Sequence, residues 1–160
     1  MRADEQDLPL LKVRNLRVEF ATKSNIFSRQ KGAVKAVDGI SFDIKRGETL
    51  GLVGESGSGK TTAALAIARL IDASGGEVNL NNVDLFQLES EDLRQARTKL
   101  QFIFQDPYSS LNPRKRAEEI VREPLDSLTD FDMAERQQIV DKLFQSVGLR
   151  HEQKKLFPHQ

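Results

Sequence analysis

One stretch of this sequence has residue types and spacing suited to chemistry. Gly54-Glu55-Ser56-Gly57-Ser58-Gly59-Lys60-Thr61 satisfies the pattern G-x-x-x-x-G-K-[ST]. Glycines let a backbone curl until successive N–H groups face inward and form a nest for an anion. A helix beginning at Lys60 would add its free N-terminal N–H groups and the positive end of its dipole. The Lys60 ammonium reaches the far phosphates of a bound polyphosphate, and the Thr61 hydroxyl supplies one position around Mg²⁺. The expected ligand is a nucleoside triphosphate with Mg²⁺. Its binding residues are Gly54, Glu55, Ser56, Gly57, Ser58, Gly59, Lys60, Thr61 and Thr62. The loop alone does not separate ATP from GTP, but no guanine-reading N-K-x-D follows it, which favours ATP. The competing reading is a glycine-rich turn with no ligand, and the flanking segments weigh against it.

Those flanks must hold the loop. Thr49 to Val53 is almost wholly apolar, which suits a strand covered on both faces. After the loop, Ala63, Ala64, Leu65, Ala66, Ile67 and Ala68 predict a closely packed helix from Lys60 to Leu70 or Ile71. Upstream, Leu11, Val13, Leu16, Val18 and Phe20 alternate with charged residues. That is the period of a half-buried strand, with a break at Asn15 that predicts a bulge. Residues 21–33 read as a long loop, and Ile40, Phe42 and Ile44 as a second strand. Arg46-Gly47 reads as a turn. Downstream, Val78 and Leu80 mark a strand ending in an Asn81-Asn82 turn, and Ser90 is a candidate cap for a helix over 91–98. Leu100 to Phe104 reads as another buried strand, followed by an irregular loop over 105–115 and a helix over 116–123 that stops before Pro124. Asp132 with Glu135 forms a capping box for a last helix ending near Gly148. Its apolar stripe is Ile139, Leu143 and Val147, with Val140 and Phe144 beside it. Strands mixed with helices in this order predict an α/β fold.

Composition narrows the function. The chain has 160 residues, 24 Lys plus Arg and 24 Asp plus Glu, so its net charge is zero. A dedicated nucleic-acid binder usually carries a basic excess, so no nucleic-acid partner is expected. Residues 12–46 hold nine basic and three acidic side chains, which reads as a solvated sheet edge or as a surface near polyphosphate. Cysteine is absent, which removes disulfides, thiolate metal sites and cysteine nucleophiles. His151 and His159 are too few for a histidine-rich metal site. The N-terminus is not a secretory signal. The longest apolar run, Ala63 to Ala68, has six residues and is far short of a membrane span. A soluble, cytosolic chain is expected, able to dock on a membrane protein.

Four segments carry a family resemblance. They are residues 34–42 before the loop; Gly51 through Thr61; Phe104-Gln105-Asp106-Pro107-Tyr108-Ser109-Ser110-Leu111-Asn112-Pro113; and Phe157-Pro158-His159-Gln160. With them the chain resembles, from about Leu10, the ATP-binding subunit of ABC transporters, in the oligopeptide, dipeptide and nickel importer branch. The resemblance implies a P-loop NTPase with the ABC-type nucleotide-binding fold. It also implies that the fold is incomplete: an N-terminal β-subdomain, the P-loop core and the start of a helical subdomain. Residues 10–104 would be the β-subdomain and P-loop core, and 105–160 the Q-loop and the start of the helical subdomain.

Further implications follow residue by residue. Gln105 matches the Q-loop glutamine, which in the family helps sense Mg²⁺ and attacking water and links nucleotide to permease. Lys60 and Gln105 are thus the expected catalytic residues, and Thr61 and Gln105 the expected metal residues. Phe20 is the expected adenine-stacking aromatic, with Phe27 as its competitor. Lys31 and Lys35 are further basic residues that could lie near phosphate. Expected partners are a second ATP-binding subunit in a homo- or heterodimer, transmembrane permease subunits and, indirectly, a solute-binding protein. The expected place is the cytoplasmic face of a bacterial or archaeal membrane.

The family also has a Ser-Gly-Gly-Gln signature, an acidic strand end, a catalytic Glu and a switch His, none of which this sequence contains. The complete parent is therefore expected to hydrolyse ATP to drive import, and this chain alone to turn over little. Two rival classes are another P-loop kinase or GTPase, and a non-catalytic interaction module with a vestigial loop.

Overall fold

The computed structural model describes residues 8–21 and 32–160. It divides into two compact units, one reaching Leu100 and the other running from Gln101 to Gln160.

The first unit is built on two long strands, β1 (Pro9–Ala21) and β2 (Ala33–Lys45). They pair antiparallel, and β1 takes the shorter β3 (Gly75–Leu80) on its other side. A two-residue strand, β4 (Val83–Asp84), completes the order β2-β1-β3-β4. Asn81 and Asn82 both have positive φ, 51° and 63°, which is the geometry a tight two-residue hairpin loop demands. The expected bulge is present: Asn15 has φ of 48°, and the register shifts between Val13 and Leu16. Gly76 is needed opposite it, since a Cβ there would lie 2.6 Å from the Asn15 carbonyl oxygen. The β1–β2 ladder starts at Ala33, well ahead of the alternating Ile40, Phe42 and Ile44. Cross-strand hydrogen bonds extend it through residues whose side chains give no period-two signal.

Val13, Leu16, Val18 and Val78 face one side of this sheet and are buried. Helix α1 (Lys60–Ile67) lays Ala63 and Ala66 on the same core. Small side chains on this face let a helix approach a sheet closely. α1 ends before the expected Leu70. Arg69 takes a left-handed φ of 51°, and Leu70 N–H donates back to the Leu65 carbonyl at 2.9 Å. The Arg69 guanidinium then donates to the Leu85 and Leu88 carbonyls, at 2.8 and 2.6 Å. That tertiary tie fixes the bend. Helix α2 (Ser90–Arg97) begins one residue earlier than expected, with Glu89 rather than Ser90 in the capping position.

Two expected strands are not formed. Residues 49–53 are irregular, with Val53 93% exposed, and residues 100–104 are irregular, with Ile103 89% exposed. A strand exists only through hydrogen bonds to a neighbour. Among the described residues, neither run has a ladder partner.

The second unit is helical. Asp106 accepts from the Tyr108 and Ser109 amides and caps a single turn, α3 (Pro107–Ser110), inside the expected loop. Helix α4 (Ala117–Leu128) runs through Pro124 instead of stopping before it. Proline removes one backbone donor, but packing against α5 (Met133–Ser146) carries the helix past the gap. Asp132 and Glu135 form the expected capping box, and Gly148 takes φ of 74° just past the helix end. The buried line of α5 is Val140 and Phe144; Leu143 and Val147, expected in the stripe, are exposed. Asp126 on α4 joins the two helices, accepting from Arg122 at 3.2 Å and from Arg136 of α5 at 3.0 Å. A short 3₁₀ helix (His151–Lys155) follows.

Two outcomes are expected. Leu16→Ala should cost about 2–5 kcal/mol in urea unfolding, the range for a fully buried leucine. The second concerns Asp126. Burial raises its pKa, but the Arg122 and Arg136 hydrogen bonds and charges outweigh that and hold it below the usual carboxylate range. A depressed folded-state value means stability present above the unfolded value and lost as pH falls through the folded one. Asp126→Asn should therefore weaken unfolding resistance at neutral pH and lose that difference in acid, as followed by denaturant melts across pH.

Candidate phosphate-binding site

The loop 54–59 and α1 form a continuous turn into a helix. Gly59 precedes the helix with φ of 90°, and its carbonyl accepts the first intrahelical bond from Ala63 N–H at 2.8 Å. Gly57 also has positive φ, 82°. Such angles are open to glycine and strained for other residues. The first turn of α1 has no acidic side chain. The positive end of its dipole is therefore not offset locally.

The loop is held against strand β2 through main chain. A Cβ on Gly59 would lie 2.1 Å from the Ala36 carbonyl oxygen, so only glycine admits this approach. A Cβ on Gly54 would lie 2.6 Å from Ser58 Oγ. The Ser58 amide donates to the Glu55 carbonyl at 3.2 Å and closes the turn. Lys60 crosses this curl: its Nζ donates to the Gly54 carbonyl at 2.8 Å, the Glu55 carbonyl at 2.6 Å and Ser58 Oγ at 3.4 Å. The ammonium thus sits at the loop, on the loop's own oxygen atoms. This cradle fits an anionic polyphosphate: glycine backbone, a free helix N-terminus and one fixed cation.

The structure places the other expected residues as follows. Thr61 is exposed, and Thr62 is half-buried on the first turn of α1. Phe20 is 48% exposed near the end of β1 and pairs across the ladder with Val34 of β2. Phe27 and Lys31 lie outside the described residues. Lys35 forms an exposed ion pair with Asp38 at 3.4 Å. Gln105 is exposed in the second unit, next to the α3 cap Asp106. The site residue that sequence reasoning missed is Ala36, which contributes only a backbone carbonyl. No side-chain pattern could have signalled it.

Comparison with known proteins places this geometry. Residues 37–160 match the ABC transporter family, with the phosphate loop inside the matched span. The chain belongs to that family. It is 41% identical over 152 residues to the oligopeptide transport ATP-binding protein AppF of Bacillus subtilis, covering 94% of this chain and 46% of the relative. It is 43% identical over 155 residues to the glutathione import ATP-binding protein GsiA of Escherichia coli, covering 95% of this chain and 24% of that one. The chain thus spans less than half the length of these relatives. Among solved structures, the dimeric post-hydrolysis state of the ATP-binding cassette MJ0796, bound to ADP and Pi, superposes with a TM-score of 0.77. That match has 25% identity and covers 94% of this chain and 62% of the cassette. The fold of this ABC transporter-family chain is accordingly the ABC-type nucleotide-binding fold, over the part of a cassette that it spans.

The two loop glycines separate backbone strain from steric exclusion. A methyl group at Gly57 would meet nothing beyond its chain neighbours within 4 Å, whereas one at Gly59 would meet the Ala36 carbonyl. Gly57→Ala should cost about 1–3 kcal/mol, the backbone term alone. Gly59→Ala should cost more and displace β2 from the loop, seen in urea unfolding and in amide shifts of residues 35–37.

Proposed function

We propose that this chain binds ATP with Mg²⁺ through residues 54–62 and that, within a longer subunit, this binding powers solute import through a membrane permease. The observation that carries the reading is the curled loop at the start of α1 with Lys60 at its centre. Glycine amides and the α1 N-terminus would bind the phosphates, and Lys60 would exchange its loop carbonyls for the far phosphate oxygens. Thr61 would take one Mg²⁺ position. Among the described residues, no group of three or more histidine, cysteine or acidic side chains could hold a metal ion. Phosphate oxygens and water would supply further positions around Mg²⁺, and Gln105 is proposed, on the family resemblance alone, as a metal residue of the complete subunit. Bound Mg²⁺ supplies charge neutralisation on the phosphates.

Phe20 is proposed to stack on adenine, with its exposed ring at the end of β1 as the supporting feature. The unit reaching Leu100 is proposed as the β-subdomain and phosphate core. The helical unit beyond it is proposed as the Q-loop and the start of the helical subdomain. The relatives' names point to oligopeptides or other small peptides as cargo. A second ATP-binding subunit and permease subunits would be the partners, with a solute-binding protein acting indirectly. The location would be the cytoplasmic face of the membrane. Among the described residues, no helix is long and apolar enough to cross a membrane.

Calorimetric titration of ATP·Mg²⁺ into the chain and into Lys60→Ala tests the site. Loss of a charge-assisted phosphate contact should weaken binding by roughly tenfold or more. Equal binding by both proteins would favour a vestigial loop, and tight selectivity for GTP would favour a GTPase-like protein. Phosphate release by the chain alone is expected to stay near background, because phosphoryl transfer needs an oriented water and a base as well as a cradle.

A further inference from the structure

The phosphate site does not use the most buried charge among the described residues. Lys154, in the 3₁₀ helix, is 4% exposed. Its ammonium donates to Asp141 Oδ1 of α5 at 2.5 Å and lies 3.1 Å from Nδ1 of His151, one turn earlier on its own element. It also sits 5.9 Å from the centre of the Phe144 ring, part of the α5 core. Asp141 accepts a second bond from Gln137 at 2.9 Å. A buried ammonium is costly unless its donors are paired. Here one carboxylate balances the charge and one imidazole nitrogen supplies an acceptor.

The imidazole can do so in one protonation state only. Neutral His151 can present Nδ1 as an acceptor. An imidazolium has N–H groups on both nitrogens, so Nδ1 would turn a donor and a positive charge toward Lys154. We propose that His151 is a proton-operated latch, closed when neutral and released when protonated, that fastens the segment 151–160 to the α4–α5 hairpin.

Among the described residues, Lys154 on its own element bonds to His151, and Asp141 on α5 interacts with it electrostatically. No charged side chain of α4 bonds to it among the described residues. Asp141 cannot neutralise both cations. It also stays ionised through the histidine range, because hydrogen bonds from Lys154 and Gln137 hold its pKa below the usual carboxylate range. The latch has a backbone readout. The Ala117 amide at the start of α4 donates to the Leu156 carbonyl at 2.9 Å, and Leu156 N–H donates to the Gln153 carbonyl at 3.2 Å. The first bond requires the 151–156 segment to stay docked on α4, and the second closes the 3₁₀ turn that carries His151 and Lys154. The other histidine, His159, stacks on Phe157 at 5.8 Å and lies outside the Lys154 cluster.

Native-state hydrogen exchange at the Ala117 and Leu156 amides, in the 160-residue chain from about pH 5 to pH 8, tests the latch. Rates are corrected for the intrinsic pH dependence of exchange. Protection should fall roughly tenfold from the neutral to the acidic end, the factor that one charged hydrogen bond carries. His151→Gln keeps an acceptor that does not titrate, so its corrected profile should be flat and near the wild-type value at neutral pH. His159→Gln should retain the wild-type slope. Lys154→Met should be flat. A flat wild-type profile, a slope that survives in His151→Gln, or a slope lost in His159→Gln overturns the latch.

Discussion

The site in this protein depends on a contact that involves no side chain. The Ala36 carbonyl of β2 lies where a Cβ of Gly59 would be. That approach lets the turn before α1 close tightly, with Gly59 in a conformation other residues resist. A phosphate cradle is made of backbone N–H groups, so its shape is the shape of the main chain. Strand β2 therefore acts as a wall that fixes the curvature of the loop. The long β1–β2 pairing makes that wall stiff, and the Asn15 bulge against Gly76 fixes the course of the sheet.

Helix α1 belongs to the same arrangement. Its alanines bury against Val13, Leu16, Val18 and Val78, so its N-terminus is anchored by the core rather than by a polar cap. Because no side chain caps it, its first amides remain open to an anion. Lys60 completes the geometry by bonding to the loop's own carbonyls. The positive charge is thus held at the loop, on oxygens that it would have to exchange for those of an anion.

The helical unit is held by a different kind of force. Its apolar core is small, and charged side chains bridge its elements: Asp126 between Arg122 and Arg136, and Asp141 with Lys154. Such ties respond to protonation where alkyl packing does not.

The sequence by itself determined the phosphate loop, the strand around Leu11 to Phe20 with its bulge, the Asn81-Asn82 turn and the capped α5 helix. Each is written in local chemistry: glycine spacing, period two, positive-φ asparagines, an Asp–Glu cap. It also carried the family resemblance, through motifs that are contiguous in the chain. Tertiary structure alone decided what depends on distant partners. Residues 49–53 and 100–104 have the composition of buried strands, but among the described residues neither has a neighbour to pair with, so they are not strands here. α1 stops where Arg69 finds the Leu85 and Leu88 carbonyls, and α4 passes Pro124 because α5 supports it. The Ala36 contact and the burial of Lys154 were illegible for the same reason. Local pattern records what a residue prefers, while a hydrogen bond or a close approach is decided by which distant atoms the fold brings beside it.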